Sequence, residues 1–162
     1  MGGMHIVNIE IDAQKCTACK ACELACSFSK EGAFVPNLSR IRVMQLYDVG
    51  MNVPVVCVNC MDAPCIVACP TGAVYRDASV PVVRIKEEEC TGCGACVRAC
   101  PFGAVDLNEE RGVAIMCDLC GGKPVCVGHC IYGALRFERS LQAAQAKRLA
   151  HAHRIAAQRR SQ

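Results

Sequence analysis

The sequence predicts a small α+β protein in which one unit (strand, cysteine loop, short helical turn, strand) recurs along the chain. The first observation is that 16 of the 162 residues are cysteines, and that they fall into four quartets. The second is that a Gly-Ala pair follows three of these quartets, at Gly72, Gly103 and Gly133. The third is the scarcity of aromatic residues, with no Trp, four Phe and three Tyr. Such a repeat indicates a fold organised around its cysteines rather than around an aromatic core.

Short alternating or apolar runs precede each quartet and are typical of strands. They lie at residues 7–11, 53–56, 82–85 and 113–116. Two of these runs can form antiparallel hairpins with the runs that come before them, which gives the pairs 73–76 with 82–86 and 104–107 with 113–116. The longest connection between quartets contains one more candidate strand, at 39–44. The sequence therefore predicts short hairpins between the cysteine loops.

The four quartets share a closely similar spacing. They are Cys16, Cys19, Cys22 and Cys26; Cys57, Cys60, Cys65 and Cys69; Cys90, Cys93, Cys96 and Cys100; and Cys117, Cys120, Cys126 and Cys130. The first and third quartets have the spacing C-x2-C-x2-C-x3-C, and the second and fourth widen only the middle gap. No cysteine is left over, and Pro70 and Pro101 follow the closing cysteines of the second and third quartets.

This spacing is typical of cubane iron–sulfur clusters, each of which needs four thiolates. Gaps of two residues let three consecutive cysteines reach three irons of one cube, and the fourth cysteine binds the other cluster in two-cluster ferredoxins. Small residues between the ligands, such as Ala18, Gly92 and Gly94, let backbone amides approach the sulfurs. All sixteen positions are filled, so the sequence predicts four 4Fe–4S clusters. The remote alternative is a zinc-binding interaction module, although zinc favours two C-x2-C pairs with a longer loop between them.

The composition favours a reducing compartment over a secreted disulfide scaffold. The first residues of the chain show no basic, apolar or twin-arginine targeting pattern, and no apolar run reaches the length of a membrane span. Clustered thiols in a reducing cytoplasm usually bind metal. We therefore expect a cytoplasmic metalloprotein with no direct membrane span. No phosphate-binding glycine loop or nucleophile–base pair stands out, so no catalytic residue is expected.

The segment 139–162 differs from the rest of the chain. It contains six basic residues and no acidic one, whereas the preceding 138 residues have a net charge of −3. Good helix formers predominate in it, and its apolar residues approximate one face at helical spacing. We expect a basic C-terminal helix that docks a partner subunit or a second copy of the chain. It lacks the aromatic and large apolar anchors that membrane or nucleic-acid binding would favour.

With these motifs, the chain resembles the four-cluster, ferredoxin-like iron–sulfur subunits of molybdenum and tungsten oxidoreductases. The likeness covers residues 5–138 and all four quartets. The segments 19–27, 31–32 and 36–41 are similar to the small iron–sulfur subunit of bacterial tungsten-dependent aldehyde oxidoreductases. The chain departs from the family pattern at Ser27 and Ile131, where a proline is expected after the cysteine. These substitutions remove a backbone restriction but no ligand.

The resemblance implies two nested bacterial-ferredoxin-like units within residues 1–138, with an inner unit at about 53–108 inserted in an outer one. The first quartet then pairs with the fourth, and the second with the third. The implied ligand sets are Cys16, Cys19, Cys22 and Cys130; Cys26, Cys117, Cys120 and Cys126; Cys57, Cys60, Cys65 and Cys100; and Cys69, Cys90, Cys93 and Cys96. Spacing alone would also permit the first quartet to pair with the second.

The resemblance also implies a function and partners. It predicts a non-catalytic subunit that relays electrons between a tungsten or molybdenum subunit, which oxidises an aldehyde, and a further redox subunit, for which a flavoprotein is a candidate. Self-association into a longer chain of clusters is an additional hypothesis. The alternatives are a free polyferredoxin and an electron-transfer subunit of a hydrogenase, formate dehydrogenase or carbon monoxide dehydrogenase.

Overall fold

The computed structural model describes residues 7–78 and 82–139 of the chain. These residues form eight strands: β1 (Val7–Ile11), β2 (Ile41–Leu46), β3 (Met51–Val56), β4 (Val74–Arg76), β5 (Val83–Ile85), β6 (Val105–Asn108), β7 (Val113–Met116) and β8 (Leu135–Arg139). They also form four α-helices: α1 (Ala21–Glu31), α2 (Pro64–Val67), α3 (Ala95–Ala99) and α4 (Val125–Gly128). None of the helices in these two ranges is long and apolar enough to cross a membrane. Apart from Arg139, the predicted basic C-terminal helix lies outside the described residues.

The strands pair only as two-stranded antiparallel sheets in the described part of the chain. β4 pairs with β5 and β6 pairs with β7, which confirms both predicted hairpins. β2 and β3 form a third hairpin, in which the predicted strand at 39–44 lies two residues further along the chain and pairs with its neighbour in sequence. A fold of short hairpins and short helices around cysteine loops is the α+β class that the sequence predicts.

The fourth sheet joins the two ends of the described chain. β1 pairs with β8, with Ile9 opposite Phe137 and Ile11 opposite Leu135. Ile9 and Leu135 are both buried, so this sheet covers a core rather than standing in solvent. The sequence predicts β1 but not its partner. A pairing between residues this distant is not encoded in any local turn, because it depends on how the intervening loops close.

Helix α1 is longer than the short helical turn that the sequence predicts for the first quartet. It continues past Cys26 because Ser27, unlike proline, keeps its backbone N–H and leaves the helix unbroken. The Ser27 hydroxyl donates to the carbonyl oxygen of Leu24 at 3.1 Å. The helix ends at Gly32, which has a φ of +71° and donates its N–H to the Phe28 carbonyl oxygen at 2.9 Å.

The helices pack in two pairs that divide the protein into two parts. α1 packs against α4, and α2 packs against α3. One buried cluster surrounds the first pair and contains Ile9, Ile41, Val56, Leu119 and Leu135 together with five cysteines. A second buried cluster surrounds the other pair and is built from smaller side chains such as Val74, Val83, Val105, Ala114 and Met116. The two cores contain few large side chains, as the composition predicts.

Ion pairs connect these two parts across the surface. Arg111, in the turn between β6 and β7, pairs with Glu87 at 2.9 Å and with Glu31 at the end of α1 at 3.4 Å. Arg42 of β2 pairs with Asp106 of β6 at 3.0 Å. These half-exposed pairs add about 1 kcal/mol or less each. These ion pairs therefore mainly fix the orientation of the two parts and contribute little to the stability of the fold.

The backbone of the cysteine loops repeats as closely as the sequence does. The residue just before the second cysteine of every quartet has a positive φ. These residues are Ala18 (φ +56°), Asn59 (φ +47°), Gly92 (φ +65°) and Leu119 (φ +56°). Non-glycine residues rarely adopt this conformation, so its recurrence in four loops indicates a common geometry that the cysteines require.

Gly92 is the loop position at which a side chain is excluded by contact as well as by conformation. A Cβ atom on Gly92 would overlap the carbonyl oxygen of Gly112 in the β6–β7 turn. Gly50, in the β2–β3 turn, has nearly the same φ (+63°) but open space around it. Comparing substitutions at Gly92 and Gly50 therefore separates the effect of backbone conformation on stability from the effect of contact with Gly112.

We predict that Gly92→Ala lowers the free energy of unfolding by about 2–4 kcal/mol, since backbone strain and overlap add. Gly50→Ala, which adds strain alone, costs about 1 kcal/mol. The measurement is anaerobic denaturant titration of each variant, followed by loss of visible absorbance. Equal losses in the two variants would contradict the close approach to Gly112.

Candidate iron–sulfur cluster sites

Each quartet is placed in the same way by a loop that leads into a helix. The first two cysteines precede the helix and the third lies in it. The fourth follows the end of the helix in three quartets, whereas Cys26 lies within the longer helix α1. The third cysteines are Cys22 in α1, Cys65 in α2, Cys96 in α3 and Cys126 in α4. All four are buried, and so are Cys26, Cys57 and Cys117. Cys19 and Cys93 are the two exposed cysteines.

Two concave spaces each bring together cysteines from two different quartets. The first has a volume of about 330 Å³, including its open part, and is lined by Cys16, Cys19, Cys22 and Cys130. The second, of about 320 Å³, is lined by Cys57, Cys60, Cys65 and Cys100. Three cysteines in each space come from one quartet, and the fourth is the closing cysteine of another. Tyr132 also lines the first space and Phe102 the second.

Burial raises the pKa of the thiols on the helices, and neighbouring thiols raise it further. The pKa of Cys22 rises to about 11 through burial and through the nearby charges of Glu23, Cys130 and Cys16. The pKa of Cys65 also rises to about 11, through burial and the charges of Cys57, Cys100 and Cys60.

The remaining two helices show the same grouping. Burial, with the charges of Cys26, Cys120 and Cys22, raises the pKa of Cys126 to about 12. Burial, with the charges of Cys90 and Cys69, raises the pKa of Cys96. In the absence of metal these thiols are protonated at neutral pH. Cluster binding must therefore release protons, and it couples to folding as in other metalloproteins.

Backbone amides surround the cysteine sulfurs. The N–H of Arg40 donates to Cys26 Sγ at 3.3 Å. The amides of Ala104, Ala114 and Leu119 donate to Cys100, Cys90 and Cys117, each at 3.4 Å. Donors of this kind stabilise thiolate ligands and adjust the potential of a bound cluster. These four sulfurs therefore already have hydrogen-bond donors of the kind found at iron–sulfur sites.

Two buried polar residues next to the cysteines were not identified from the sequence. Asn59 is fully buried, and its Oδ1 accepts the N–H of Val83 at 2.9 Å, which ties the second loop to β5. Glu23, beside Cys22, accepts the N–H of Val43 at 2.6 Å. The only sequence signal for Asn59 is its place before a second cysteine, since Asn tolerates positive φ. Glu23 gives no such signal.

His129 stands out in the sequence only as a neighbour of Cys130. Its Nδ1 lies 2.9 Å from the carbonyl oxygen of Val125, to which it can only donate. The imidazole is thus held by the end of α4, and it lines the same space as Cys130. His129 is therefore placed to influence the environment of a cluster bound by Cys130.

The donor set fits cubane clusters. Each of the two spaces is lined by three thiols of one quartet and the closing thiol of another, with small residues nearby. In the described residues, no group of three or more His, Cys, Asp or Glu side chains is arranged to hold a single metal ion. Ligands of a cubane bind four different irons, so they lie around the cluster rather than around one point. The fold and the sites thus define a ferredoxin-like iron–sulfur protein.

Comparison with known proteins identifies the family. The model of the 4Fe–4S dicluster domain matches residues 49–140, and a 4Fe–4S binding domain matches residues 13–29. The chain belongs to the 4Fe–4S dicluster domain family.

Similar proteins include subunits of several oxidoreductases. The chain is 47% identical to the polyferredoxin-like subunit of aliphatic sulfonate oxidoreductase from Pyrococcus furiosus, over 75% of this chain and 70% of the relative. It is 36% identical to the electron transfer subunit of thiosulfate reductase from Salmonella typhi, over 83% and 78%. It is 37% identical to the B subunit of anaerobic dimethyl sulfoxide reductase from Escherichia coli, over 78% and 70%.

These relatives confirm the general function that the sequence predicts. The chain is a non-catalytic iron–sulfur electron-transfer subunit of the type that serves oxidoreductase complexes. It carries 4Fe–4S clusters, and its sixteen cysteines in ferredoxin-like spacing provide ligands for four of them.

We predict about sixteen iron and about sixteen acid-labile sulfide per chain in protein purified anaerobically, since each of four clusters contains four of each. After reduction, EPR should show interacting cubane signals. The measurement is elemental analysis with sulfide determination on the full chain. About four zinc per chain without sulfide would instead indicate the zinc-binding module.

Proposed function

We propose that the chain relays electrons between a catalytic tungsten or molybdenum subunit that oxidises an aldehyde and a second redox partner. The observation that carries the proposal is the arrangement of the cysteines. In the proposed ligand sets, the cysteines make four groups, and the two exposed cysteines, Cys19 and Cys93, belong to the first and the last of them. A bound 4Fe–4S cluster takes up and gives back one electron. Oxidation of an aldehyde releases two electrons, whereas each cluster carries one. A protein with several clusters can therefore pass the two electrons on one at a time.

The proposed ligand sets are the four nested ones: Cys16, Cys19, Cys22 and Cys130; Cys26, Cys117, Cys120 and Cys126; Cys57, Cys60, Cys65 and Cys100; and Cys69, Cys90, Cys93 and Cys96. Two of the sets line the two concave spaces. The packing of α1 on α4 and of α2 on α3, with the pairing of β1 and β8, supports the same arrangement. The inner unit at about 53–108 then lies within the outer one.

The order of the sites along the relay follows from the helices. Cys22 and Cys26 belong to different sets but to one helix, where four residues correspond to about 6 Å of rise. In the same way, the turns around α2 and α3 connect the last two sets. Burial raises the pKa of Cys117, and the nearby charges of Cys126, Cys57 and Cys26 raise it further. Cys57 of the third set lies in the same buried cluster as Cys26, Cys117 and Cys126 of the second set.

The partners are inferred from relatives and from the resemblance. The relatives include subunits of sulfonate oxidoreductase, thiosulfate reductase and dimethyl sulfoxide reductase, which supports a catalytic partner. The tungsten or molybdenum subunit and a flavin-containing acceptor rest on the family resemblance, and the aldehyde substrate rests on segments 19–27, 31–32 and 36–41. The basic segment 139–162 is the candidate docking element for a partner or a second copy. A cytoplasmic location belongs to the same proposal.

Pairs of cysteine substitutions distinguish nested from sequential pairing of the quartets. Under the nested scheme, Cys19 and Cys130 hold the same cluster, whereas Cys93 and Cys130 hold different ones. We predict that the double variant Cys19→Ala/Cys130→Ala loses about four iron per chain, and that Cys93→Ala/Cys130→Ala loses about eight. Iron analysis of anaerobically purified variants measures this.

The two double variants are matched, since Cys19 and Cys93 are both exposed and lie at the same position in their quartets. Sequential pairing reverses the expected order, because Cys130 would then bind together with Cys93. A loss of about eight iron from the first variant and about four from the second would therefore overturn the nested ligand sets.

Purification of the complex tests the proposed partner. We predict that the chain isolated from its own cells under anaerobic conditions carries with it a subunit that contains tungsten or molybdenum. Addition of an aldehyde to this complex should bleach the visible absorption of the clusters, because electrons from the substrate enter the chain. A carboxylic acid is the control. Isolation as a monomer would favour a free polyferredoxin, and reduction by formate, hydrogen or carbon monoxide instead would identify one of the other enzymes.

A further inference from the structure

The loops after the closing cysteines differ at one position. Thr71, Phe102 and Tyr132 each stand two residues after a closing cysteine, and Gly-Ala follows each of them. The three following glycines have similar positive φ values of +71°, +60° and +64°. Each donates its N–H to the carbonyl oxygen of the closing cysteine, at 3.0–3.4 Å. The backbones are therefore equivalent, and the loops can be compared by their side chains.

In the loop of Thr71, a hydroxyl group lies between a backbone amide and a cysteine sulfur. Thr71 Oγ1 lies 3.6 Å from Cys69 Sγ and accepts the N–H of Ala73 at 3.4 Å. In the loop of Phe102, the equivalent amide of Ala104 donates directly to Cys100 Sγ at 3.4 Å. A hydroxyl that accepts from an amide still has one proton to donate. When Cys69 binds iron as a thiolate, its sulfur has no proton and can only accept.

We propose that the Thr71 hydroxyl donates a hydrogen bond to Cys69 and thereby raises the reduction potential of the cluster that Cys69 binds. The inference rests on the proposed function, in which this cluster is held by Cys69, Cys90, Cys93 and Cys96. Reduction by one electron adds a negative charge, which spreads onto the cysteine sulfurs. A donor to a sulfur stabilises the more negative state and so favours reduction.

The position of this site gives the effect a function. Cys93, in the same proposed set, is exposed, so the tuned cluster lies at one end of the relay. The exposed carboxylates of Glu88 and Glu89 lie just before Cys90 in the chain. Their negative charge lowers the reduction potential of this cluster, whereas the Thr71 hydroxyl raises it. The contribution of Thr71 is therefore visible only as a difference between variants, and not in the absolute potential.

The test is an EPR-monitored potentiometric titration of the full chain, purified anaerobically with its iron content checked. Thr71→Val keeps the shape of the side chain and removes the donor, and Thr71→Ser keeps the donor. Thr91→Val is the matched control: Thr91 lies between Cys90 and Cys93, is exposed, and makes no hydrogen bond in the described residues. Cys93→Ala identifies the midpoint of this cluster as the one that disappears. Thr71→Ala repeats the test if Thr71→Val loads poorly.

We expect Thr71→Val to disfavour one-electron reduction of this cluster about tenfold, which lowers its midpoint by about 59 mV. Thr71→Ser and Thr91→Val should leave it unchanged. Unchanged midpoints in a fully loaded Thr71→Val variant would overturn the inference and leave the relay intact. If the midpoint that shifts in Thr71→Val is still present in Cys93→Ala, Cys69 does not bind the same cluster as Cys93. That result would overturn the assignment of Cys69. Fewer than four clusters in the unaltered chain would overturn the proposed function itself.

Discussion

The structure depends on one spacing, the four-residue separation of Cys22 and Cys26 in helix α1. A residue four positions further along a helix lies about one turn away on nearly the same face. Both thiols are buried, so the helix must have cysteine-lined space at two successive turns. Ordinary core side chains alone therefore cannot cover this helix. The other three quartets keep the same separation between their third and fourth cysteines, although helices α2, α3 and α4 end before the fourth cysteine.

The first consequence is a core that is divided between cysteines and small aliphatic residues. α1 packs on α4 and α2 on α3, and each pair has its own buried cluster that includes cysteines. The sheets have only two strands each, and such sheets are marginally stable alone. The buried thiols stabilise the fold only slightly, because each buries a small apolar area. Much of the stability of the protein must therefore come from bound clusters, because their binding energy is coupled to folding.

Local elements could be predicted from the sequence, and long-range ones could not. The β4–β5 and β6–β7 hairpins were predicted because each is encoded by adjacent apolar runs and a turn. The β1–β8 pair was not, since nothing near Val7 or Leu135 specifies a partner at the other end of the chain. The length of α1 depends on Ser27, which in the sequence indicates only a less restricted turn. The quartets were recognised as sites at once, but their pairing came only from a resemblance.

Residues that adjust the sites were harder to recognise than the ligands. Thr71 and Asn59 are common residue types in loops, and their roles depend on distances to Cys69 and Val83 that a sequence does not contain. The internal repeat is what makes Thr71 recognisable after the fold is known. Three loops with one backbone conformation hold three different side chains, so a difference between them is chemical rather than architectural.

Exposure of the cysteines changes systematically along the proposed relay. The two terminal sets each contain one exposed cysteine, Cys19 and Cys93, whereas the second set contains the buried Cys26, Cys117 and Cys126. Water stabilises negative charge, so exposure and hydrogen bonds both favour reduction at an end, while burial opposes it in the middle. In the proposed relay, electrons can therefore enter or leave at the two terminal clusters. Between these ends they pass through clusters that are shielded from solvent. The Thr71 hydroxyl acts at one of these ends, where a small change in potential affects exchange with a partner directly.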